Sequence, residues 1–310
     1  MKKTAFLLSL IMISLVRMAL AQDTEDLLGE LNDLAPDKPQ AVSATFKSTR
    51  IINGHSIETV AKNHLDFRIS HRFGTINSGF NNLWGLDESR IRIGLEYGIT
   101  NDLMVGVGRN SHLKEYDYFL KYRILHQKTK SILNPVTITL LASASTNTMD
   151  TSPSMKFYNN LERQSYVGQL MIARKFGEKL SLEMNPTFVH RNKTETPIDA
   201  NDLIALGMGG RIKLSKRTTF NAEYYYVAND LIGNGLQRDP IYKNNLSLGF
   251  DIETGGHVFQ LHVSNSRGMI EKQFIGGTTD RWIDGGLYYG FNISRIFSFD
   301  KKEKQLSAHN

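Results

Sequence analysis

The sequence predicts an all-β fold, an antiparallel up-and-down transmembrane β-barrel of about twelve strands with short periplasmic turns and long extracellular loops. Three observations predict it. Segments of about ten residues alternate apolar and polar side chains, the links between them alternate between short and long, and aromatic residues gather near segment ends. A period of two describes a strand with one apolar face, and outer-membrane barrels combine such strands with this asymmetry of links.

The composition narrows the chemistry of the chain. None of its 310 residues is cysteine, which excludes a disulfide framework, a thiolate metal site and a catalytic thiol. The mean hydropathy of −0.31 is too low for a bundle of membrane helices, each of which needs about 20 apolar residues. It does not exclude a barrel, because a barrel strand needs an apolar residue only at every second position.

Residues 1–21 have the order of a secretory signal peptide. Two lysines come first, the mostly apolar residues 5–16 follow, and Ala19-Leu20-Ala21 provides a small-residue cleavage site. Cleavage after Ala21 leaves 34 basic residues against 31 acidic ones, so the net charge falls from +6 to +3. A charge this small does not indicate a nucleic-acid partner.

Residues 22–43 form an acidic leader that we expect in the periplasm. Leu27, Leu28, Leu31 and Leu34 recur at helical spacing, on one face of a short helix. Because a helix this short is not stable alone, two alternatives stay open: a flexible leader, or a helix that docks on the barrel mouth or on a periplasmic partner.

The barrel is expected from residue 63 to residue 299. In its first strand Leu65, Phe67 and Ile69 alternate with polar residues, and their face is expected to contact outer-membrane lipid. The short links are 100–102, 177–179, 215–217, 254–256 and a longer one at 126–134, and the others are 74–88, 110–115, 147–162, 191–202, 228–243 and 265–281. Five turns and six loops place both mature termini in the periplasm, with a polar tail, 300–310, after the last strand.

Residues 44–62 are strand-like but would make a thirteenth strand, which breaks the even count of a barrel. Asn53-Gly54 within them is a hairpin signal. Two placements stay open, a segment packed on the rim, which we favour, or a plug inside the barrel with Lys47 and Arg50 near acidic lumen residues.

Two stretches resemble the opening of a known family of β-barrel proteins. They are residues 44–56 (ATFKSTRIINGHS) and 67–74 (FRISHRFG), with further similarity at 85–87, 93–98 and 105–109. The family is found in Bacteroidota and is known as an outer-membrane β-barrel domain of unknown function. The resemblance is densest from about residue 44 to 125 and extends more loosely to the last strand. It implies an outer-membrane location and brings no substrate or catalytic residues.

The polar faces of the strands predict a charged lumen with two unlike walls. The basic wall, from the first four strands, comprises Arg68, Arg72, Arg90, Arg92, Lys121 and Arg123. The acidic wall, from later strands, comprises Glu183, Glu223, Asp251 and Glu253. Such walls either select polar solutes, as charged rings do in pores, or pair with one another and hold a narrow barrel closed.

The charged lumen favours a narrow porin-like channel or transport component for a small polar solute. The alternative is a non-conducting barrel that serves as a binding or scaffold protein for a periplasmic or surface partner. An open lumen would favour the channel, and a filled lumen with apolar patches on its loops would favour the scaffold.

An enzyme is not expected, although lipid hydrolysis stays a minor alternative. His262-x-Ser264 places a base and a nucleophile on one strand face, with Asn245 on the preceding strand, and this spacing is similar to that of outer-membrane phospholipase. That chemistry needs access to lipid, whereas Phe259 and Leu261 occupy the lipid-facing positions. The nine histidines are scattered, so neither a metal site nor a cofactor is expected.

Overall fold

Twelve strands follow one another around a closed barrel in a computed structural model that describes residues 39–151, 156–228 and 238–299. The strands are β1 (His64–Thr75), β2 (Arg90–Gly98), β3 (Leu103–Asn110), β4 (Glu115–Leu125), β5 (Thr137–Asn147), β6 (Gln164–Phe176), β7 (Leu180–Arg191), β8 (Asp202–Lys213), β9 (Thr218–Val227), β10 (Asn245–Thr254), β11 (His257–Ser264) and β12 (Tyr288–Ser298). The predicted fold class, a twelve-stranded antiparallel up-and-down barrel, is confirmed. The signal peptide, residues 22–38 of the leader and the tail 300–310 lie outside the described residues.

The first and last strands close the barrel. Leu65 pairs with Phe297 and Ile69 pairs with Ile293, antiparallel like every other pair of neighbours. Closure gives both edges of the sheet a partner, so no strand leaves a row of unpaired backbone groups in lipid.

The apolar face of each strand points outward, as the alternation predicts. Ile93, Leu120, Leu182, Phe250 and Leu261 are all exposed on the outer surface, and the residues next to them in sequence are more buried. An outward apolar band is the surface that a membrane barrel presents to lipid. Within the described residues, no helix is long and apolar enough to cross a membrane, which says nothing of a β-barrel.

The links define two different ends of the barrel. The short-turn end has the links 99–102, 126–136, 177–179, 214–217 and 255–256. The long-loop end has the links 76–89, 111–114, 148–163, 192–201, 228–244 and 265–287, of which 111–114 is short. Within the described residues, the links at this end carry five 3-10 helices: Ile76–Ser78, Phe80–Gly85, His112–Lys114, Leu161–Arg163 and Trp282–Asp284.

The link between β11 and β12 folds into the barrel. It carries the one α-helix within the described residues, α1 (Glu271–Gly276). Phe274 and Ile275 on α1 are fully buried, which is possible because the inner surface beneath them is apolar. The long-loop end is therefore closed by its own loop.

A charged residue in the middle of the lipid-facing band should destabilise the barrel strongly. Leu120 lies midway along β4 and is 46% exposed, so Leu120→Arg should lower the free energy of unfolding in lipid vesicles by about 2–4 kcal/mol. Ile124→Arg is the matched control on the same face near the short-turn end and should cost about 0–1 kcal/mol. Equal costs at both depths in denaturant titrations would contradict the placement of the band.

Candidate functional site

Residues 44–62, here called the plug hairpin, lie inside the barrel. The hairpin begins and ends at the short-turn end, where Ala41 bridges to Lys128 and Lys62 bridges to Gly98. Between these points it rises into the lumen and reverses at residues 51–54, where the Ile51 amide donates to the Gly54 carbonyl at 2.9 Å. Of the two placements left open by the sequence, the structure has the plug, and the favoured placement on the rim is not observed.

Glu223 on β9 binds the tip of the plug hairpin. Its carboxylate accepts hydrogen bonds from the backbone amides of Ile52, Asn53 and Gly54, at 3.1, 2.9 and 3.1 Å. Residue 54 must be glycine, because a Cβ there would lie 2.0 Å from the Tyr225 hydroxyl. A buried carboxylate and a close backbone approach together fix the height of the tip in the lumen.

Lys121 on β4 binds the plug hairpin from the opposite wall. Its ammonium donates to the backbone carbonyls of Thr49, Ser56 and Glu58, at 3.2, 3.0 and 2.8 Å. Three acceptors match the three donors of an ammonium group, so this buried cation is satisfied by hydrogen bonds to the plug backbone.

Side chains on other strands also form hydrogen bonds to the backbone of the plug hairpin. Arg211 donates to the carbonyls of Ala44 and Thr45, both at 2.8 Å, and Glu183 accepts from the Ile57 amide at 2.9 Å. Polar groups from several sides of the barrel therefore bind the backbone of one segment.

The two cations predicted to face the acidic wall have different partners. Lys47 forms an ion pair with Glu253 of that wall. Arg50 does not reach it, because its guanidinium lies 3.2 Å from Glu271 of α1 and 3.5 Å from Glu96 on β2. Glu271 could not be expected in the lumen from the sequence, since it lies in the long link between β11 and β12.

The basic wall does not face open solvent. Arg68 pairs with Asp66 on its own strand at 2.9 Å, and the Nε of Arg92 donates to Asp117 at 2.9 Å. Arg72 donates to the Asn53 side chain of the plug at 2.5 Å. The predicted arrangement of a basic wall and an acidic wall in a charged lumen is corrected accordingly: Asp66 and Asp117 pair with Arg68 and Arg92, and the plug lies between the walls.

The last three predicted lumen residues lie at different depths. Arg90 is half-buried at the long-loop end, and Asp251 is buried and accepts from the Gln260 amide at 2.9 Å. Arg123 lies near the short-turn end, where it donates to the Ile57 carbonyl at 3.2 Å and lies 3.6 Å from Glu58.

Two apolar clusters fill the lumen between these polar contacts. The first joins the plug to strands β3 to β6 and contains Phe46, Ile51, Ile52, Ile57, Val60, Met104, Phe119, Leu141, Met171 and Ala173. The second joins α1 to strands β6 to β9 and contains Val167, Val189, Leu203, Ala205, Tyr225, Val227, Phe274 and Ile275. The inner face of the barrel is thus partly apolar, whereas the alternation along the strands predicted a polar lumen.

Above the filled lumen, the long loops surround a cavity of about 490 Å³, here called the mouth cavity. Five of its lining side chains are basic and three are acidic. They are Arg163, Arg191, Lys193, Arg267 and Lys272, and Glu162, Glu195 and Asp280. An excess of cations in a concave site favours ligands that carry negative charge.

Several of the mouth cations already have carboxylate partners. Arg191 lies 2.7 Å from Asp199, while Lys193 lies 2.9 Å from Glu162. Arg267 is more available, since it is partly exposed and lies 3.8 Å from its nearest carboxylate, Glu88. A ligand in this cavity therefore competes with carboxylates for Arg191 and Lys193. Its competition for Arg267 is weaker, because the Arg267–Glu88 pair is longer.

His112 on the wall of the mouth cavity is neutral at neutral pH. Burial, together with the positive charges of Arg90, Arg267 and Lys272, lowers its pKa to about 4. The positive character of the cavity therefore comes from arginine and lysine alone.

Residues 46–297 match the profile of a family described as a membrane bound beta barrel domain (DUF5777). The chain belongs to this family. An antiparallel membrane barrel with an even number of strands is of the outer-membrane type, so this DUF5777 barrel is an outer-membrane β-barrel. No curated protein matches the chain.

Solved structures similar to the DUF5777 barrel include channels and an enzyme. The NanC porin is 12% identical, with a TM-score of 0.45, and the match covers 76% of this chain and 99% of that one. The COG4313 outer membrane channel from Pseudomonas putida F1 is 12% identical, with a TM-score of 0.45, over 78% and 98%. The Salmonella typhi outer membrane phospholipase (OMPLA) dimer with bound calcium is 10% identical, with a TM-score of 0.46, over 82% and 98%.

The His262-x-Ser264 pair does not form a catalytic arrangement. The Ser264 hydroxyl lies 3.0 Å from the Asn245 amide and 2.9 Å from the Ser247 hydroxyl, so Asn245 does contact the serine. Within the described residues neither ring nitrogen of His262 bonds the Ser264 hydroxyl, so this histidine is not placed to act as the base of that serine. All of these side chains are buried in the lumen, away from lipid. In the part of the chain that the structure describes, no three acidic or histidine side chains are grouped as a metal site.

Removing the Glu223 carboxylate should destabilise the barrel, because three buried backbone amides of the plug lose their acceptor. Glu223→Ala should lower the free energy of unfolding by about 3 kcal/mol or more, since each unsatisfied buried donor costs about 1–3 kcal/mol. The control Glu178→Ala removes an exposed carboxylate, 3.8 Å from Lys213 on the short-turn end, and should change stability by less than about 0.5 kcal/mol. Similar effects in denaturant titrations would contradict the anchoring role of Glu223.

Acidification should loosen the mouth loops. The pKa of His112 is about 4 in the folded protein and 6.5 for a free side chain, so between these values the opened state binds more protons and is favoured as the pH falls. Hydrogen exchange of residues 265–280, corrected for intrinsic rates, should therefore be faster at pH 5 than at pH 7. His112→Gln removes this titration and should flatten the dependence, and an unchanged dependence would rule out His112 as its origin.

Proposed function

We propose that the protein is a non-conducting outer-membrane barrel that binds a polar, negatively charged ligand at its long-loop end. The observation that carries the proposal is the pair of apolar clusters inside the barrel. A water-filled channel has a polar inner face, whereas this inner face includes large apolar side chains such as Met104, Phe119 and Leu141.

The energy of opening supports a permanently filled lumen. Five apolar side chains of the plug hairpin are almost fully buried, namely Phe46, Ile51, Ile52, Ile57 and Val60. Each such side chain is worth about 1.5–3 kcal/mol when buried, so exposing all of them to water costs on the order of 10 kcal/mol. This cost is comparable to the whole stability of an ordinary domain, which makes the plug part of the core.

The mouth cavity is the concave surface that remains for a ligand. Its basic residues outnumber the acidic ones, and Phe157 and Tyr242 add aromatic surface. Because α1 lies beneath it, a ligand bound there stays at the long-loop end. With a cleaved signal peptide and short turns in the periplasm, both mature termini lie in the periplasm and the cavity faces the outside of the cell.

A second candidate is a gated channel that the plug hairpin closes. The observation that favours it is the polar character of the main anchors, Glu223 and Lys121, which bind plug backbone through hydrogen bonds that water can replace. Withdrawal of the plug toward the short-turn end would uncover the charged walls to solutes.

A crosslinked barrel distinguishes the two candidates. The chain has no native cysteine, and the Asn53 amide in the plug lies 2.9 Å from the Ser247 hydroxyl on β10. Asn53→Cys with Ser247→Cys, joined by a short thiol crosslinker, fixes the plug to the wall. In planar bilayers we expect no conductance steps with or without crosslinking, whereas steps that occur only without the crosslink would establish the gated channel.

Ligand binding is tested with a matched pair of sugars. Glucuronate and glucose differ by one carboxylate, and calorimetry on the barrel in detergent should detect binding of glucuronate and weaker or no binding of glucose. Arg267→Gln should weaken glucuronate binding about tenfold, the effect of one lost charged hydrogen bond. Arg281→Gln, on the long-loop end outside the cavity lining, is the control and should have no effect. Equal binding of both sugars would contradict the proposed preference for negative charge.

A further inference from the structure

A second concave surface lies at the short-turn end, far from the mouth cavity. Residues 40–43, the link 126–136 and the turn between β6 and β7 enclose a cavity of about 750 Å³, here called the leader groove. Four of its lining side chains are basic and one is acidic: Lys128, Lys130, Arg174, Lys175 and Glu178. The groove therefore favours an acidic occupant.

One wall of the leader groove ends in an exposed apolar tip. Ile132 is 96% exposed and Leu133 is 89% exposed, at the turning point of the link between β4 and β5. This link has eleven residues, from 126 to 136, whereas the other links at the short-turn end have two to four. Two large aliphatic side chains side by side on a protruding turn are an unpartnered apolar surface.

The direction of the chain leads from this groove to the apolar tip. The Val42 amide donates to the Gln127 carbonyl, and the Thr129 amide donates to the Gln40 carbonyl, both at 2.8 Å. Pairing of residue 42 with 127 and of residue 40 with 129 is antiparallel. Residue 39, where the described chain begins, therefore lies on the side of the link that leads to residues 131–133.

The sequence that precedes residue 39 is complementary to this surface. Residues 22–38 contain six acidic residues and one lysine: Asp23, Glu25, Asp26, Glu30, Asp33, Asp37 and Lys38. They also contain the leucines at 27, 28, 31 and 34, spaced as one face of a helix. Residues 22–38 thus carry a charge opposite to that of the leader groove and an apolar face, and they join the chain at the edge of that groove.

We propose that residues 22–38 dock in the leader groove of the same chain. The leucine face covers Ile132 and Leu133, while the acidic residues lie against the lysines around the groove. Because the tether enters the groove at residue 40, the segment is held at high local concentration, and modest contacts suffice to keep it bound. Docking covers the side of the short-turn end where the chain approaches the plug hairpin.

Crosslinking within the full mature chain tests the proposal without adding charge. Leu31→Cys is combined with Leu133→Cys or, as a control, with Lys216→Cys on the exposed turn between β8 and β9 at the same end. A short bis-maleimide should give mainly intramolecular product with Leu133→Cys. Equal yields at the two turns, or no product at either, would overturn the proposal.

Proteolysis of the leader gives an independent readout. A glutamate-specific protease cleaves after Glu25 or Glu30, and Ile132→Asp with Leu133→Asp should speed that cleavage about tenfold by raising the population of undocked leader. Ile283→Asp at the long-loop end, where residue 283 is 78% exposed, is the control and should leave the rate unchanged. Folding of each variant is verified by the gel mobility shift of the heated and unheated barrel.

Two outcomes of the proteolysis would assign the surface to another occupant. Protection of the leader in vesicles but not in detergent would show that the membrane surface binds it. An unchanged cleavage rate in the variant with aspartates at 132 and 133 would show that this tip does not bind the leader. The exposed tip would then be a binding surface for a separate partner. Either result overturns docking within the chain.

Discussion

The structure depends on one constraint: in a lumen closed to water, every charged side chain that points inward needs an ion-pair or hydrogen-bond partner. An isolated buried charge costs several kcal/mol, so a barrel whose inner face carries many charges either stays wet or supplies partners. This barrel supplies them from acids on the strands, such as Asp66 and Asp117, and from the plug hairpin. The plug hairpin turns its backbone amides toward Glu223 and its carbonyls toward Lys121 and Arg211, which satisfies cations and anions with the same chain.

Backbone amides and carbonyls can bind buried charges well, because a turn presents several amides, or several carbonyls, in the same direction. The tip of the hairpin presents three amides to a single carboxylate, and its two arms present three carbonyls to a single ammonium. The apolar side chains of the hairpin are then free to pack between these anchors against Met104, Phe119 and Leu141. Polar anchoring fixes the position of the plug, and apolar packing makes its removal costly.

The sequence predicted the parts of this structure that depend on local patterns. Alternation along each strand is a property of neighbouring residues, so the twelve strands, their lipid-facing sides and the two kinds of link could all be predicted. The contents of the lumen could not be predicted, because they depend on contacts between residues distant in sequence. Glu223 binds a turn about 170 residues away, and Arg50 meets Glu271 at a separation of 221 residues. A local signal did exist for the apolar inner face, since runs such as Leu140-Leu141 and Tyr224-Tyr225-Tyr226 put apolar residues on both faces of a strand.

The two segments that fill the lumen come from opposite ends and meet at one ionic contact. Arg50 of the plug hairpin lies 3.2 Å from Glu271 of α1, with the His55 ring 3.7 Å from the same carboxylate. On the other side of Glu271, Lys272 and Gln273 reach the lining of the mouth cavity. The loop that lines the mouth cavity and the plug hairpin therefore meet at an ion pair that neither segment makes alone.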